Sequence, residues 1–306
     1  MKKTYQSILI LVTLVLLLLY DLFHANCLSN WILDYTQLFF TSYFPVSFIF
    51  FILSSLLIQY QLIETLQTLL SINTSKLYIF FLSMISGFPS GAKITKELLD
   101  QHTISQEEAT QMLYFSHFPN PLFVLGPIGR ILQNRKTSFY LLLSIILSNL
   151  CLLIFTKKTK ILSSNMIYKE KDFSSCLTLS IKSSWSTLLS IYGISLFFYL
   201  IFEAIVQIFS LSPFFYVLCA GAFDLTKGVY STTLLSNEFL RSFFILLFLS
   251  FGGISIHMQV KSILNQSSLY HHYVKGRILG SFLSIIFFMI INGTTLPFHL
   301  NQMIRN

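Results

Sequence analysis

The chain has 306 residues, of which 54% are hydrophobic and only 10% charged, and its mean hydropathy is +0.70. A soluble domain carries roughly 25% charged residues, so the composition excludes an ordinary soluble protein and implies a multi-pass membrane protein embedded in the lipid bilayer. The net charge of +8 is read as Lys and Arg gathered in cytoplasmic loops, not as a nucleic-acid surface.

A spanning helix needs about 20 mostly apolar residues. In chain order, apolar windows occur at Ile8–Leu22, Leu38–Ile58, Leu77–Ile85, Met112–Leu132, Phe139–Phe155, Leu188–Phe209, Phe214–Leu235, Phe243–Leu264 and Ile278–Ile291. Met1-Lys2-Lys3 and the long run that follows read as a retained first span, because "FHANCLS" has no clear small-x-small cleavage site. Ser105 and Glu108 have capping-box spacing and predict a helix beginning near Gln106. The basic and serine-rich linker 157–187 predicts an amphipathic helix at the cytoplasmic surface.

Several of these windows are interrupted. "SGFPSGAK", Ser86–Lys93, places Gly87, Pro89 and Gly91 where a helix would otherwise continue. The same reasoning marks Pro119, Asn120 and Pro121, then Gly126, Pro127 and Gly129, then Gly221 and Gly228, and finally Gly252 and Gly253. Backbone that leaves the helix inside a bilayer must be covered by protein or by a watery cavity.

"GFPSGAK" at 87–93 and "GAFDLTK" at 221–227 share a glycine start and a lysine end at an offset of 134. Each is followed by a second interrupted span and then an unbroken one. The expected fold is therefore an all-α membrane protein with two similar units, forming an inverted repeat with re-entrant hairpins at Leu77–Leu99 and Phe214–Leu235. The organisation expected is 1–76 N-terminal helices, 77–156 first unit, 157–213 basic linker plus one helix, and 214–306 second unit. This arrangement puts most Lys and Arg, Arg277 among them, on the cytoplasmic side, with Arg130, Arg135, Lys136, Lys227, Arg241 and Arg305 left outside or in the outer hairpin; the cluster Arg130, Arg135 and Lys136 is the exception to the charge bias.

Ionisable groups inside a membrane are functional candidates. Lys93 and Lys227 are expected to approach a central cavity from opposite sides and, with half-helix N-termini, to suit an anion. Asp224, three residues before Lys227, is an alternative partner for that lysine. Ser90, Asn120, Thr226, Ser255, His257 and Gln259 supply directional hydrogen bonds, with His117 a weaker candidate. No catalytic motif, Walker loop or clustered metal ligands are present, so neither an enzyme nor a cofactor or metal is expected. The four cysteines form no C-x-x-C pair. A small-molecule solute is the expected partner, and a homo-oligomer is left open.

"SGFPSGAKITKELL", "ISQEEATQMLYFSHFPNPLFVLGPIG", "GAFDLTKG" and "FGGISIHMQVKSIL" resemble the motifs of YlbJ-type sporulation integral membrane proteins. These carry nucleoside-recognition, or Gate, domains. The resemblance runs from about Tyr43 to Arg277. It implies a Gate-type transporter fold, a multi-pass place in the cell membrane (the outer forespore membrane in a spore former), and a small anionic solute, dipicolinate in its sharpest form. The alternatives are a non-transporting component or regulator of a sporulation or envelope complex, and a nucleoside-type permease. Matching positions are Gly87, Pro89, Ser90, Gly91, Lys93, Pro121, Phe123, Gly126, Gly129, Gly221, Thr226, Gly228, Gly252, Gly253, Ser255, His257 and Gln259. The chain departs from the pattern at Ser116, His117 and Phe118, where Cys-Asn-Asn is expected, and at Asp224, where Glu is expected.

Overall fold

The computed structural model describes residues 11, 12, 15, 18, 20, 23–60, 75–157 and 172–293. The expected first span at Ile8–Leu22 falls largely outside them, as does the middle of the basic linker. Among the described residues the regular structure is helical and there is no strand.

Helix α1, Ala25–Leu38, passes through a π-helical turn, Phe39–Tyr43, into α2, Phe44–Gln59. Pro45 cannot donate to the preceding turn, and the widened π turn lets the helix continue past it. Helices α3, Ser75–Ser86, and α4, Ser90–Asp100, flank a break at Gly87–Pro89. Helix α5, Gln106–Phe115, begins in the expected capping box: Ser105 Oγ accepts from Glu108 N–H at 3.2 Å, and Glu108 Oε2 from Ser105 N–H at 2.9 Å. A break at 116–120 separates it from α6, Pro121–Leu132. Then come α7, Arg135–Ile154; α8, Phe173–Ile208; α9, Pro213–Phe223; and α10, Leu225–Ser231 with a 3-10 turn to Leu234. The chain continues as α11, Glu238–Phe251; α12, Ile254–Leu264; and α13, Ser267–Ile291.

Among the described residues, four helical stretches are long and apolar enough to cross a membrane: α7, α8, α11–α12 taken across its break, and α13. The protein is a multi-pass membrane protein. Helices α7 and α13 pack along each other, and Ser148 Oγ donates to Gly280 O at 2.7 Å where small residues bring the backbones close. Phe115, Phe118, Leu141, Leu249 and Phe288 fill the core around that pair. A second cluster joins α1 and α2 to α8 through Tyr35, Phe39, Phe51, Leu188, Ile191 and Tyr199.

Contacts at the helix ends define two ends of the bundle. Gln106 bonds Gln266 at 3.0 Å, and Lys76 Nζ bonds Gln111 Oε1 at 2.7 Å and Thr156 Oγ1 at 3.1 Å. At the other end Asn134 bonds Glu238 at 3.3 Å, and Arg241 reaches Leu235 O at 2.7 Å and Ile131 O at 3.4 Å. The path α5–α6 therefore runs from the Gln106 end to the Asn134 end, while α11–α12 runs the opposite way.

Some expected interruptions are elsewhere. Gly126, Pro127 and Gly129 do not break the chain: α6 passes through them as a π-helical stretch, Val124–Ile128. Gly221 and Gly228 are inside α9 and α10, and the break is at Asp224. These glycines serve close packing instead, because a Cβ on Gly228 would run into the backbone of Gly221. Gly91 is likewise helical and abuts Ser116. The separate surface helix expected at 157–187 is replaced, from Phe173 onward, by the 36-residue α8. At about 1.5 Å per residue it is some 54 Å long, longer than a bilayer is thick. Asp172 caps it, and the backbone N–H and then the hydroxyl of Ser175 hold that carboxyl below the usual carboxylate range. Arg277, assigned by the charge pattern to the cytoplasmic side, is 1% exposed within the bundle.

Gly228→Ala is expected to force the α9 and α10 arms apart and destabilise the detergent-solubilised protein by about 1–3 kcal/mol. Gly193→Ala in α8, with nothing within 4 Å of its Cβ position, is the control. Equal thermal midpoints for the two variants would contradict the close approach.

Candidate functional site

The breaks make close backbone contacts: the one at Gly87 with that at Asn120, and the one at Gly253 with the end of α9. Asn120 backbone would be 2.7 Å from a Cβ placed on Gly87, and Gly87 adopts φ +78°, open to glycine at little cost. Gly253, in the fourth break, abuts Gly221 O, 2.8 Å from its Cβ position. Gly87 and Gly221 differ by 134 positions, and Asn120 and Gly253 by 133. The two close contacts thus fall at nearly the same offset along the chain.

Backbone groups exposed by the breaks are bound by side chains. Tyr43 donates to Phe88 O at 2.7 Å, Asn120 Nδ2 to Ser86 O at 3.5 Å, and Ser90 Oγ to Gly87 O. Asn149 Nδ2 donates to His117 O at 2.8 Å and Arg277 to Tyr114 O at 2.7 Å. His257 Nε2 is 3.2 Å from Phe251 O. Asn120 caps α6 by accepting from Leu122 N–H at 2.9 Å, and Asp224 Oδ1 caps α10 by accepting from Lys227 N–H at 3.0 Å. Asp224 and Asn120 prefer such positions because their short side chains reach the free N–H groups.

Between these docked breaks, α1–α2 and α8 is a cavity of about 110 Å³. Its walls are aromatic and aliphatic, with Tyr35, Tyr43, Phe88 and Phe123 prominent. Asn120, Asp224, Thr226 and Gln259, all expected site residues, line it, and so do Ser47 and Ser195. Asp224 is 3% exposed; its Oδ2 accepts from Ser255 Oγ at 3.1 Å and from Tyr35 OH at 3.5 Å. Gln259 Nε2 donates to Ser195 Oγ at 2.7 Å. Ser255 therefore acts through Asp224 and not as a wall residue.

Other expected residues are placed differently. Lys93 is not part of the cavity wall: its ammonium is 3.8 Å from Glu97 Oε1 and 5.2 Å above the Phe51 ring, one helical turn beyond Ser47. Lys227 does not pair with the Asp224 carboxylate. It binds Glu203 Oε1 at 2.6 Å, over the Tyr199 ring at 5.2 Å, one turn beyond Ser195. The two lysines thus flank the cavity instead of meeting within it. Gly87, Pro89, Ser90, Gly252 and Gly253 shape the breaks, and Gly252 takes φ +83°, whereas Gly91 is inside α4 and packs against Ser116. His257 faces a different, shallow groove with Phe251 and Tyr270. His117 stacks on Phe88 and bonds Tyr273 OH at 2.9 Å.

Glu203 was not anticipated, although a carboxylate within an apolar span is a recognisable signal. Tyr35, Ser47 and Ser195 carry no such signal, because a tyrosine or serine in a membrane helix is unremarkable in isolation. Among the described residues there is no cluster of three or more His, Cys, Asp or Glu able to hold a metal ion.

The chain is similar to the sporulation integral membrane protein YlbJ of Bacillus subtilis (strain 168), with 25% identity over 300 aligned residues, covering 81% of this chain and 73% of the relative. The similarity supports the YlbJ-type likeness of its motifs. No protein-family model and no solved structure matches it.

In a background with the four native cysteines replaced by serine, Thr226→Cys and Gln259→Cys are expected to react with a small polar thiol reagent through a water-filled cavity. Ser90→Cys, fully buried away from it, should react at least tenfold more slowly. Comparable rates at all three positions would contradict the cavity.

Proposed function

We propose that this YlbJ-type membrane protein is a secondary transporter or facilitator that passes a small planar anion through the cavity between its broken helices. The observation that carries the reading is the convergence of Phe88, Asn120, Asp224 and α12 on one cavity with several polar side chains in its otherwise apolar wall. Interrupted helices that gather around a cavity are how transporters bind solutes within a membrane. The equivalent contacts of Gly87 with Asn120 and of Gly221 with Gly253, together with the opposite courses of α5–α6 and α11–α12, support an inverted repeat. In that arrangement α3–α4 and α9–α10 are re-entrant hairpins.

Aromatic walls suit a flat ring, and the amides of Asn120 and Gln259 orient its polar edge. Lys93 and Lys227, one turn from the wall at equivalent positions, supply positive potential on the approach to the cavity and favour an anion over a neutral solute. Dipicolinate, a planar aromatic dianion, is the sharpest candidate, and the sporulation membrane protein to which the chain is similar is consistent with a role in spore formation. A non-transporting component of an envelope complex has no need of a polar space within its apolar bundle.

Purified protein in liposomes should accelerate release of trapped dipicolinate and leave uridine behind. Lys93→Gln and Lys227→Gln, which remove one charge each but keep a hydrogen-bonding side chain beside Glu97 and Glu203, should each lower the flux by about tenfold, as expected for loss of one steering charge, in protein whose thermal midpoint is retained. Absence of flux for every anion would remove the transport reading, and full flux in both variants would remove the role of the lysines.

A further inference from the structure

The cavity that would admit an anion holds a carboxylate. Asp224 is buried in its wall, and the groups that donate to it are all neutral: the Lys227 and Thr226 N–H groups, Ser255 Oγ and Tyr35 OH. Among the described residues no ammonium, guanidinium or imidazole pairs with it. The charged or titratable groups nearest to it are committed elsewhere. From α8, Glu203 and Tyr199 face Lys227, whose ammonium is bound to Glu203; from α12, His257 points to Phe251 O on the far side; from α1 only the Tyr35 hydroxyl arrives.

An ionised Asp224 would repel an anion brought beside it, weakening binding by roughly a thousandfold at contact distance in a partly desolvated site. A neutral carboxylic acid would instead offer an O–H to the incoming carboxylate, a short charge-assisted hydrogen bond. The short side chain of Asp224 holds the acid at the break, where it caps α10. The structure therefore points to a proton site, and we infer that Asp224 takes up a proton with the anion and releases it when the anion leaves, coupling solute movement to proton movement in the same direction. The step is –COO⁻ plus H⁺ giving –COOH on entry, and the reverse on exit.

This inference rests on the transport reading, and two measurements separate their failures. In the first, purified protein without solute is followed by infrared difference spectroscopy as the pH is lowered. A carboxylic-acid C=O stretch is expected to grow in and to be missing from Asp224→Asn, which keeps a capping side chain and a fold measurable by its thermal midpoint. An identical spectrum in the variant overturns the proton site whatever the solute. In the second, dipicolinate flux into liposomes is measured with a trapped pH dye. Flux should fall by about tenfold per pH unit on the alkaline limb, as expected for one required proton, and protons should accompany the anion. Flux without proton movement also overturns the inference, whereas no flux with the infrared band present removes only the transport reading.

Discussion

A backbone N–H or C=O with no partner in hydrocarbon costs several kcal/mol, and among its described residues this chain leaves the helix four times within apolar sequence. The arrangement of nearly every polar side chain around the breaks follows from that constraint. Tyr43, Asn120, Asn149 and His257 are hydrogen-bonded to carbonyls in or beside the breaks. Arg277 places its guanidinium on Tyr114 O near the end of α5, where a cation also complements the helix dipole. Asn120 and Asp224 do the converse, accepting from N–H groups at the starts of α6 and α10. Glycine completes the scheme: with no Cβ at Gly87 or Gly253, one break can approach another until their backbones touch.

Because so many polar groups are committed to the backbone, the few that remain directed at open space acquire meaning. Asp224 is both a cap and a wall residue, which explains how a carboxylate is tolerated there and how one oxygen stays available to Ser255, Tyr35 and the cavity. Lys93 and Lys227 each sit beside a glutamate and an aromatic ring, which hold the ammonium groups next to the cavity and not inside it. Buried ion pairs of this kind contribute little net stability but are strongly destabilised when one member is removed alone.

The helical membrane class, the capping box at Ser105 and the breaks at Pro89, Asn120 and Gly252–Gly253 were legible in the sequence because each rests on local chemistry: apolar length, side-chain reach, and the geometry of proline and glycine. The wrong readings arose where tertiary packing decides. Glycine spacing alone did not distinguish a break from a close contact, so Gly221 and Gly228 signalled an interruption that belongs to Asp224. Gly126 and Pro127 were absorbed by a π-helical stretch. Arg277 was assigned to an aqueous side because loop charge is a statistical guide, and no pattern shows that a carbonyl 163 residues away will accept from it. Asn120, Thr226, Asp224 and Gln259 were recognised as polar residues near breaks, but the partners that close the cavity, Tyr35, Ser47 and Ser195, come from helices with no interruption at those residues.

The central claim is that solute crosses through the space where the breaks meet. The most direct measurement is dipicolinate release from liposomes containing Thr226→Cys as the sole cysteine, before and after quantitative modification with a bulky polar thiol reagent. Modification is expected to fill the cavity and abolish release. Release that continues unchanged with Thr226→Cys fully modified would contradict the account.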